Sequence, residues 1–203
     1  MNTRRVGEHG LLIDLPDVDD VHRTRASLLA SKPVGVVEVV PGLRSLLVVI
    51  DPAQTSVSEF AAFLDDLDVG DVTVEGNRVV DVPVIYDGTD LDEVARLTRM
   101  RPDEVVARHQ AATYTVAFLG FSPGFAYLLG LDPALYVPRR ATPRPSVAAG
   151  SVAIAGELAG VYPRATPGGW RLLGRTRLAV WDLSRDPPAL FAPGDHVRFR
   201  AVG

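Results

Sequence analysis

The sequence predicts an α+β protein of two domains, a small split-βαβ (ferredoxin-like) domain over residues 1–76 and a β-rich domain over residues 77–203. In the first 75 residues, strand and helix patterns alternate in the order βαββαβ. From Thr113 onward, short apolar runs are separated by Gly and Pro. The net charge of −4 is also uneven, because ten arginines accompany four acidic residues from Arg139 onward, which leaves −10 for residues 1–138. This imbalance indicates two modules, the second suited to an anion or an acidic partner.

Four strands and two helices are predicted in the N-terminal domain. The strands are His9–Asp14, Val34–Val40, Arg44–Ile50 and Val72–Glu75. The first helix covers Asp17–Ala30, with Asp17 as the expected N-cap. The second helix begins at the capping-box pattern Ser56-Val57-Ser58-Glu59 and continues with an apolar stripe that starts at Phe60. This order predicts a mostly antiparallel sheet.

The turn Gly76-Asn77 is the predicted domain boundary, and a strand over Arg78–Tyr86 follows it. Two helices come next, Asp90–Thr98 with Thr89 as its cap, and a second one that starts at Pro102 and ends at about Gln110. Five further strands are predicted, namely Thr113–Leu119, Ser151–Ala155, Trp170–Leu173, Leu178–Asp182 and His196–Arg200. Many short strands with Gly and Pro between them are typical of a β-barrel or a sandwich.

Composition excludes several classes of function. The chain has no cysteine, which rules out disulfides, thiol nucleophiles and thiolate metal ligands. Its four histidines lack ligand spacing, so no metal site is expected. No signal peptide is visible and no apolar run reaches the roughly 20 residues that span a bilayer, so we expect a soluble, cytoplasmic protein away from membranes. Lys32 is the only lysine and no P-loop motif occurs, while arginines set among Gly and Pro argue against nucleic acid.

The segment Gly120-Phe121-Ser122-Pro123-Gly124 matches the G-x-S-x-G pattern of serine hydrolases. In those enzymes the residue after the nucleophile supplies a backbone N–H to the oxyanion hole, and here that residue is a proline, which has none. The order of Ser122, Asp182 or Asp186, and His196 resembles that of α/β-hydrolases, but no helix is predicted after the motif. We therefore favour a tight Gly-Pro turn and keep a serine hydrolase as the weaker alternative.

Residues 118–170 are rich in Gly, Pro, Arg and aromatic residues and nearly free of acidic ones, which suits a rigid ligand surface built from loops. Arg139, Arg140 and Arg144 are interleaved with prolines and either bind a carboxylate or phosphate or form a solvated basic loop. Gly168-Gly169 forms either an anion nest or a plain hairpin turn. The aromatic candidates, as core residues or as pocket lining, are Phe121, Phe125, Tyr162 and Trp170.

His109 shares a helical face with Val105 and Val106, so its side chain is expected to point inward or toward the seam between the domains. A half-buried histidine with its hydrogen bonds satisfied is the default interpretation. A ligand role is the alternative, because the helix leads directly into the strand and loop of residues 113–124.

Several long motifs carry a resemblance to a known family. They include Ala117-Phe118-Leu119-Gly120-Phe121-Ser122-Pro123-Gly124-Phe125-Ala126-Tyr127-Leu128, Ala149-Gly150-Ser151-Val152-Ala153-Ile154-Ala155-Gly156 and Pro167-Gly168-Gly169-Trp170-Arg171-Leu172-Leu173-Gly174-Arg175-Thr176. These motifs resemble the PxpB/KipI family, also called the 5-oxoprolinase B subunit, allophanate hydrolase subunit 1, or carboxyltransferase domain, subdomain C and D. The resemblance runs over essentially the whole chain and implies that the β-rich domain is a cyclophilin-like β-barrel. Such a fold does not by itself imply prolyl isomerase activity.

The resemblance also implies a function at the level of a complex. It implies a stable partner of the PxpC/KipA type in a heterodimer or heterotetramer, with a third subunit of the LamB/YcsF type. Such complexes look like ATP-dependent 5-oxoprolinases, which convert 5-oxo-L-proline and ATP to L-glutamate, ADP and phosphate. The chain is then expected to be inactive alone, and ATP with Mg²⁺ to act at the level of the complex without a tightly bound cofactor in this chain. The alternatives are a regulatory module that inhibits a sensor histidine kinase and a subunit of an allophanate or urea-derivative hydrolase.

On this interpretation, three residues are expected to be catalytic and eight to bind ligand. His109 is the expected acid or base, Ser122 a hydrogen-bond donor, and Arg144 a cation that stabilises phosphoryl transfer together with Arg175. The expected ligand-binding residues are Phe121, Gly124, Ser151, Tyr162, Gly168, Gly169, Trp170 and Arg175. The expected ligand is a small lactam or ureide.

Overall fold

The computed structural model describes residues 2–70 and 78–202. The chain divides into two compact units, Met1–Gly76 and Asn77–Gly203. The predicted strand Val72–Glu75 and the predicted turn Gly76-Asn77 lie outside the described residues. Each unit has its own hydrophobic core, built around Ile13 and Leu46 in the first and around Val84 and Leu128 in the second. The fold is α+β, as the sequence predicts.

The first unit has four described strands and two described helices. They are β1 (Asn2–Val6), β2 (Gly10–Asp14), α1 (Val18–Ser31), β3 (Val36–Pro41), β4 (Ser45–Ile50) and α2 (Val57–Asp65). The strands pair antiparallel in the order β1-β2-β4-β3, so that β2 and β3 run parallel with β4 between them. This is the split-βαβ arrangement that the sequence predicts.

Strand β1 is absent from the predicted order. It forms a hairpin with β2, with Val6 opposite Gly10 and Asn2 opposite Asp14. Its residues Asn2, Thr3, Arg4 and Arg5 are polar and largely exposed, so no apolar alternation marks the strand in the sequence. Backbone pairing with β2 therefore holds it in place, and not the burial of its side chains.

Both predicted caps of the first unit are present. The Asp20 backbone N–H donates to the Asp17 carboxylate at 2.8 Å, which begins α1. Ser56 and Glu59 form the full capping box of α2, with the Ser56 N–H donating to the Glu59 carboxylate at 2.8 Å. Phe60 then packs into the core of the unit.

The second unit is a nearly closed β-barrel with two helices. Its described elements are β5 (Val79–Val84), α3 (Leu91–Thr98), α4 (Pro102–Ala111), β6 (Tyr114–Leu119), β7 (Ala126–Leu129), a 3-10 turn (Pro133–Leu135), β8 (Arg144–Val147), β9 (Ser151–Ala155), β10 (Leu158–Val161), β11 (Thr166–Gly168), β12 (Arg171–Arg175) and β13 (His196–Ala201). Seven strands follow the order β12-β9-β10-β7-β6-β13-β5, and only the β13–β5 pair in this sheet is parallel. Ile85 and Arg175 exchange backbone hydrogen bonds of 2.8 and 2.9 Å, which joins the two edges of the sheet.

One of the predicted strands of the second unit does not form. Residues 178–182 make only local pairings, such as the bridge between Trp181 and Ala189 and the hydrogen bond from Leu190 N–H to the Val180 carbonyl. The strand pair β8–β11 forms a separate two-stranded sheet. The second unit is thus a barrel, and the alternative of a sandwich does not apply.

Strand β9 is buried on both faces, which places a second cluster on the outer side of the barrel wall. Val152 and Ile154 belong to the barrel core, whereas the alternating Ala153 and Ala155 pack with an aromatic cluster. Phe125, Tyr162 and Trp170 belong to that cluster, as does Val147 from β8. The candidate site lies at this outer cluster.

Candidate functional site

A cavity of about 90 Å³ opens among the aromatic residues of the outer cluster, and we call it the Trp170 pocket. Its aromatic lining is Phe121, Phe125, Tyr127, Tyr162 and Trp170, and its other lining residues are Arg139, Pro167, Gly168 and Gly169. The Phe125 ring lies at the centre, edge-to-face with Tyr127 at 5.1 Å, Tyr162 at 5.3 Å and Trp170 at 5.5 Å. Such edge-to-face packing is favourable and directional, so the rings hold the pocket in a defined shape.

Tyr162 and Gly168 approach each other closely at the wall of the pocket. A Cβ added to Gly168 would lie 2.4 Å from the Tyr162 hydroxyl, so only glycine fits there. Burial raises the pKa of Tyr162, while a hydrogen bond from the Trp170 backbone and the charges of Arg139 and Arg144 act in the opposite direction. The hydroxyl is thus protonated at neutral pH and can donate a hydrogen bond.

Arg139 supplies the cation of the Trp170 pocket. Its guanidinium carbon lies 5.8 Å from the centroid of the Trp170 ring, within cation–π range. None of the described lining residues is acidic. The sequence marked Arg139 only as one of three arginines among prolines and did not single it out as a site residue.

Phe121 lies at the mouth of the Trp170 pocket in a strained turn. The Ser122 N–H donates to the Gly120 carbonyl at 2.6 Å, and Phe121 between them has a φ of 63°. This is a γ-turn with positive φ, which is rare for a residue with a side chain. The Phe121 side chain is nevertheless 61% exposed. Gly124 allows the next part of the loop to fold without strain, since its φ is 80° and a Cβ there would lie 2.8 Å from Trp181.

Of the two alternatives for Gly168-Gly169, an anion nest or a hairpin turn, the anion nest does not form. Neither glycine has a positive φ. Gly168 belongs to β11 and lies opposite Arg144 of β8, and the Gly169 carbonyl accepts a hydrogen bond of 2.8 Å from the Arg140 N–H. Both glycines line the Trp170 pocket instead, and at Gly168 the absence of a side chain leaves room for Tyr162.

Arg144 is held by an ion pair. Its Nη2 donates to Asp90 Oδ1 at 2.7 Å and to Thr89 Oγ1 at 3.1 Å, while its buried Nη1 has no hydrogen-bond partner among the described residues. Asp90 is 2% exposed and also accepts from Arg140 at 3.2 Å and from the Leu172 N–H at 2.8 Å. Burial acts to raise the pKa of Asp90, but these hydrogen bonds and the two guanidinium charges outweigh it and lower that pKa.

This ion pair also changes the predicted start of α3. Asp90 is the N-cap residue of α3, but its side chain makes no capping hydrogen bond and binds the arginines and the Leu172 amide instead. Thr89, the predicted cap, contacts Arg144. One turn along the helix, Glu93 pairs with the buried Arg171. The start of α3 is thus fixed to the β8 and β12 region by charge.

Three predicted ligand-binding residues, Gly124, Ser151 and Arg175, lie outside the lining of the Trp170 pocket. Arg175 is exposed at the seam of the barrel and pairs with Asp87 at 2.8 Å. Ser151 opens β9, where its carbonyl accepts from the Tyr162 N–H at 2.9 Å. Of the eight predicted ligand-binding residues, the structure brings together five in the pocket, namely Phe121, Tyr162, Gly168, Gly169 and Trp170.

His109 lies in the interior of the second unit and is 0% exposed. Its Nδ1 is 2.8 Å from the Tyr86 hydroxyl, and its ring packs 4.5 Å from the Phe199 ring. Its Nε2 is buried without a hydrogen-bond partner among the described residues. Burial lowers the pKa of His109 to about 3, so the ring is neutral at physiological pH. His109 is not part of the pocket lining.

Ser122 has no histidine partner in the described part of the chain. Its Oγ is buried and makes no hydrogen bond there. His196 lies 3.4 Å from Thr115 Oγ1, and Asp182 binds Ser184. The order of residues that resembles a hydrolase triad in the sequence is therefore not assembled in space, and the tight turn is the interpretation that the geometry favours.

Residues 2–70 and 78–202 contain neither a metal-binding cluster nor a membrane-spanning helix. Within these ranges, no group of three or more His, Asp or Glu side chains is arranged to hold a metal ion. The helices of the same ranges include none that is long and apolar enough to cross a membrane.

The chain is similar to named proteins over nearly its whole length. Residues 1–191 match the family described as carboxyltransferase domain, subdomain C and D. The 5-oxoprolinase B subunit of Escherichia coli O157:H7 is 39% identical, with 96% of this chain and 93% of that protein covered. Those of Bacillus subtilis and Haemophilus influenzae are 37% and 36% identical and cover 90% and 100% of this chain.

Solved structures share the fold. TTHA0988 matches 100% of this chain at 38% identity with a TM-score of 0.84, and this chain spans 40% of the length of that chain. PH0987 from Pyrococcus horikoshii is 35% identical with a TM-score of 0.60. The Kluyveromyces lactis urea carboxylase has a TM-score of 0.74 at 22% identity, which shows the fold alone. By the family match and by its full-length relatives, the chain belongs to the PxpB/KipI family, that of the 5-oxoprolinase B subunits.

Proposed function

We propose that the protein is the B subunit of an ATP-dependent 5-oxoprolinase, which converts 5-oxo-L-proline and ATP to L-glutamate, ADP and phosphate. The observation that carries this proposal is the length of the match to proteins of that name. Three relatives named as 5-oxoprolinase B subunits are 36–39% identical and are themselves covered over 82–99% of their length. A match over whole chains supports a shared role better than a shared fold does.

The chemistry of lactam opening defines the tasks that the subunits of the proposed complex would share. A lactam is a poor electrophile, so phosphorylation of its amide oxygen by ATP would prepare the ring for attack by water. Mg²⁺ bound to ATP would neutralise the negative charge that develops during phosphoryl transfer. The task that this chain's residues fit is the binding of a small organic ligand, because it has an aromatic pocket with one cation.

ATP does not fit the residues that the sequence offered for it. Arg144 and Arg175 are each paired with a carboxylate, and Gly168-Gly169 does not form a nest. A water needs about 10–15 Å³ of cavity, so the Trp170 pocket of about 90 Å³ has room for about six to nine waters, much less than the volume of a nucleotide. We therefore place the nucleotide outside this pocket, at a site to which other subunits contribute.

A partner chain of the PxpC/KipA type is part of the proposal, together with a LamB/YcsF-type subunit. Three relatives are named as one subunit of an enzyme, which supports a complex, and in TTHA0988 the matching region is only 40% of a longer chain. A domain that is joined to further sequence in one protein is a reasonable candidate to bind a separate chain in another. On this proposal, the protein alone is inactive and works in the cytoplasm, where its co-substrate ATP is available.

The test is to reconstitute the complex from separately purified subunits and to measure ADP release. We expect release that depends on 5-oxo-L-proline, yields L-glutamate, and disappears when this chain is omitted. L-proline, which lacks the lactam carbonyl, is the matched control compound and should give only the background rate. Equal ADP release with and without this chain would contradict the proposed function.

A further inference from the structure

The Trp170 pocket has a chemical character that points to one class of ligand. We propose that it binds the carboxylate-bearing lactam ring itself, with the Arg139 guanidinium as the carboxylate anchor and the Trp170 and Phe121 rings against the lactam ring. The naming of the ligand as 5-oxo-L-proline rests on the proposed function. The assignment of a small cyclic carboxylate rests on the size, the charge and the lining residues of the pocket.

The charge of the pocket selects an anion. Arg139 lies over Trp170, and the described lining contains no acidic side chain to neutralise it. The nearby Arg140 and Arg144 are, in contrast, engaged by the buried Asp90. Arg139 is thus the lining cation that remains available to a ligand, and its planar fork suits a carboxylate.

A neutral hydrogen-bond donor belongs to the same pocket lining as the Arg139 cation. The Tyr162 hydroxyl accepts from the Trp170 backbone, so its own proton can be donated to a ligand oxygen. Its position is fixed because the ring packs against Phe125 and the hydroxyl against Gly168. A cation and a neutral donor on aromatic walls match a molecule that has a carboxylate, a carbonyl and an apolar ring edge.

The size of the pocket limits the ligand to a small one. With room for about six to nine waters, it admits a single small ring but not a nucleotide. The substrate therefore fits here and ATP does not, which makes the pocket a subsite for one of the two reactants.

Phe121 supplies an independent sign of function. An exposed aromatic residue held at a φ of 63° is costly both in strain and in exposed apolar surface. Strain of this kind persists at ligand clamps, and the ring lies at the mouth of the pocket. A ligand in the pocket would cover it.

The test uses the reconstituted complex and compares Arg139→Gln with Arg177→Gln, an exposed arginine of the same unit that does not line the pocket. We expect Arg139→Gln to raise KM for 5-oxo-L-proline at least about tenfold, because a charged hydrogen bond is lost, while KM for ATP stays within about twofold. Arg139→Lys keeps the charge without the fork and should fall between the two. Arg177→Gln should match the unaltered complex.

A substrate fragment sharpens the assignment. 2-Pyrrolidone has the lactam ring without the carboxylate, so its inhibition constant should be the same for the unaltered complex and for Arg139→Gln. Trp170→Phe, which keeps an aromatic ring, should instead weaken both 5-oxo-L-proline and 2-pyrrolidone. If Arg139→Gln also weakened 2-pyrrolidone tenfold, the carboxylate assignment would be wrong.

The outcomes separate this inference from the proposed function. An active complex whose KM for 5-oxo-L-proline does not respond to Arg139→Gln would overturn the pocket assignment and leave the function standing. An inactive complex, combined with Arg139-dependent binding of 5-oxo-L-proline to the full chain in calorimetry, would support the pocket and contradict the function. An inactive complex without such binding would overturn both.

Discussion

The hydroxyl of Tyr162 lies so close to Gly168 that a methyl group on the glycine would come within 2.4 Å of the oxygen. The ring carbons of Tyr162 would be 3.0 Å away. Because Tyr162 is 2% exposed and packed against Phe125, it has little freedom to move aside. The contact ties the β11 backbone to the aromatic wall of the pocket.

Gly168→Ala should therefore destabilise the protein by about 1–3 kcal/mol, as overpacking usually does. Gly169→Ala is the matched control, since a Cβ there would meet its nearest neighbours at 3.7 Å, an ordinary contact. Thermal or urea unfolding measures both. Equal losses of unfolding free energy in the two variants would show that the Tyr162 contact does not restrict the side chain at position 168. A smaller loss for Gly168→Ala in a Tyr162→Phe background would assign the clash to the hydroxyl.

Asp90→Asn should cost about 2–4 kcal/mol in the free energy of unfolding. The substitution keeps the shape but removes the charge that compensates Arg140 and Arg144. Both guanidiniums retain some contact with water, which keeps the cost below that of a fully buried pair. Asp81→Asn, at an exposed carboxylate paired with Arg198, is the control and should lose much less. Denaturant unfolding at neutral pH decides between these expectations.

The same substitution should change the response to acid. The pKa of Asp90 is lowered in the folded protein, so the contribution of its carboxylate to stability is fully present above about pH 4. That contribution is lost as the pH falls through the folded pKa. The Asp90→Asn protein should accordingly lose less stability between about pH 4 and pH 2 than the unaltered chain does. Parallel acid limbs in the two unfolding series would contradict this role for Asp90.

His109 should make the protein less stable as the pH falls below 6.5. Burial lowers its pKa from 6.5 to about 3, so the unfolded chain binds a proton over this range and the folded chain does not. The loss is at most about 1.4 kcal/mol per pH unit. In His109→Phe the dependence of the unfolding free energy on pH should become smaller between about pH 6 and pH 4. Tyr86→Phe removes the hydrogen bond to Nδ1 and should leave this pH dependence unchanged. An unchanged slope in His109→Phe would show that this histidine is not the group responsible.

Phe121 offers a paired test of strain and binding. Phe121→Gly should be more stable than Phe121→Ala by about 1 kcal/mol, because glycine adopts a φ of 63° freely and alanine does not. Both variants remove the ring and should raise KM for 5-oxo-L-proline similarly. If Phe121→Ala were the more stable of the two, the γ-turn would not be strained.

Ser122→Ala should leave activity of the complex within about twofold and stability unchanged or higher. The Ser122 Oγ is buried without a hydrogen-bond partner in the described residues, so its removal gives up nothing and relieves a desolvated hydroxyl. Ser122→Gly, which also removes the hydroxyl but loosens the turn, is a control for the backbone. Loss of activity of about 100-fold or more in Ser122→Ala would restore the serine as a catalytic candidate.

Local features were predictable wherever the determinants are neighbours in the chain. The caps at Asp17 and Ser56 depend on N–H groups three residues away, and the apolar stripe from Phe60 repeats within one helix. Phe121, Gly168 and Trp170, which line the pocket, were singled out in the sequence because they lie in a stretch rich in Gly, Pro, Arg and aromatic residues. What the sequence left open was which of these residues meet.

The rest depended on contacts between distant residues. Arg144 is paired with Asp90, 54 residues earlier, which removes it from the free cations and leaves Arg139 to the pocket. The polar strand β1 is stabilised by its pairing with β2 and lacks an apolar pattern of its own. His109 is enclosed by Tyr86 and by Phe199 from β13, 90 residues later in the chain.

The sequence by itself thus determined the α+β class and the capped starts of α1 and α2, and it predicted two modules and the segments from which a site is built. Only the tertiary structure decided the composition of the site, because charge pairing and burial are properties of groups brought together in space. Gly120–Gly124 shows the difference. Its sequence resembles a nucleophile turn, but within residues 2–70 and 78–202 its fold leaves Ser122 without a base and presents Phe121 at the mouth of the Trp170 pocket.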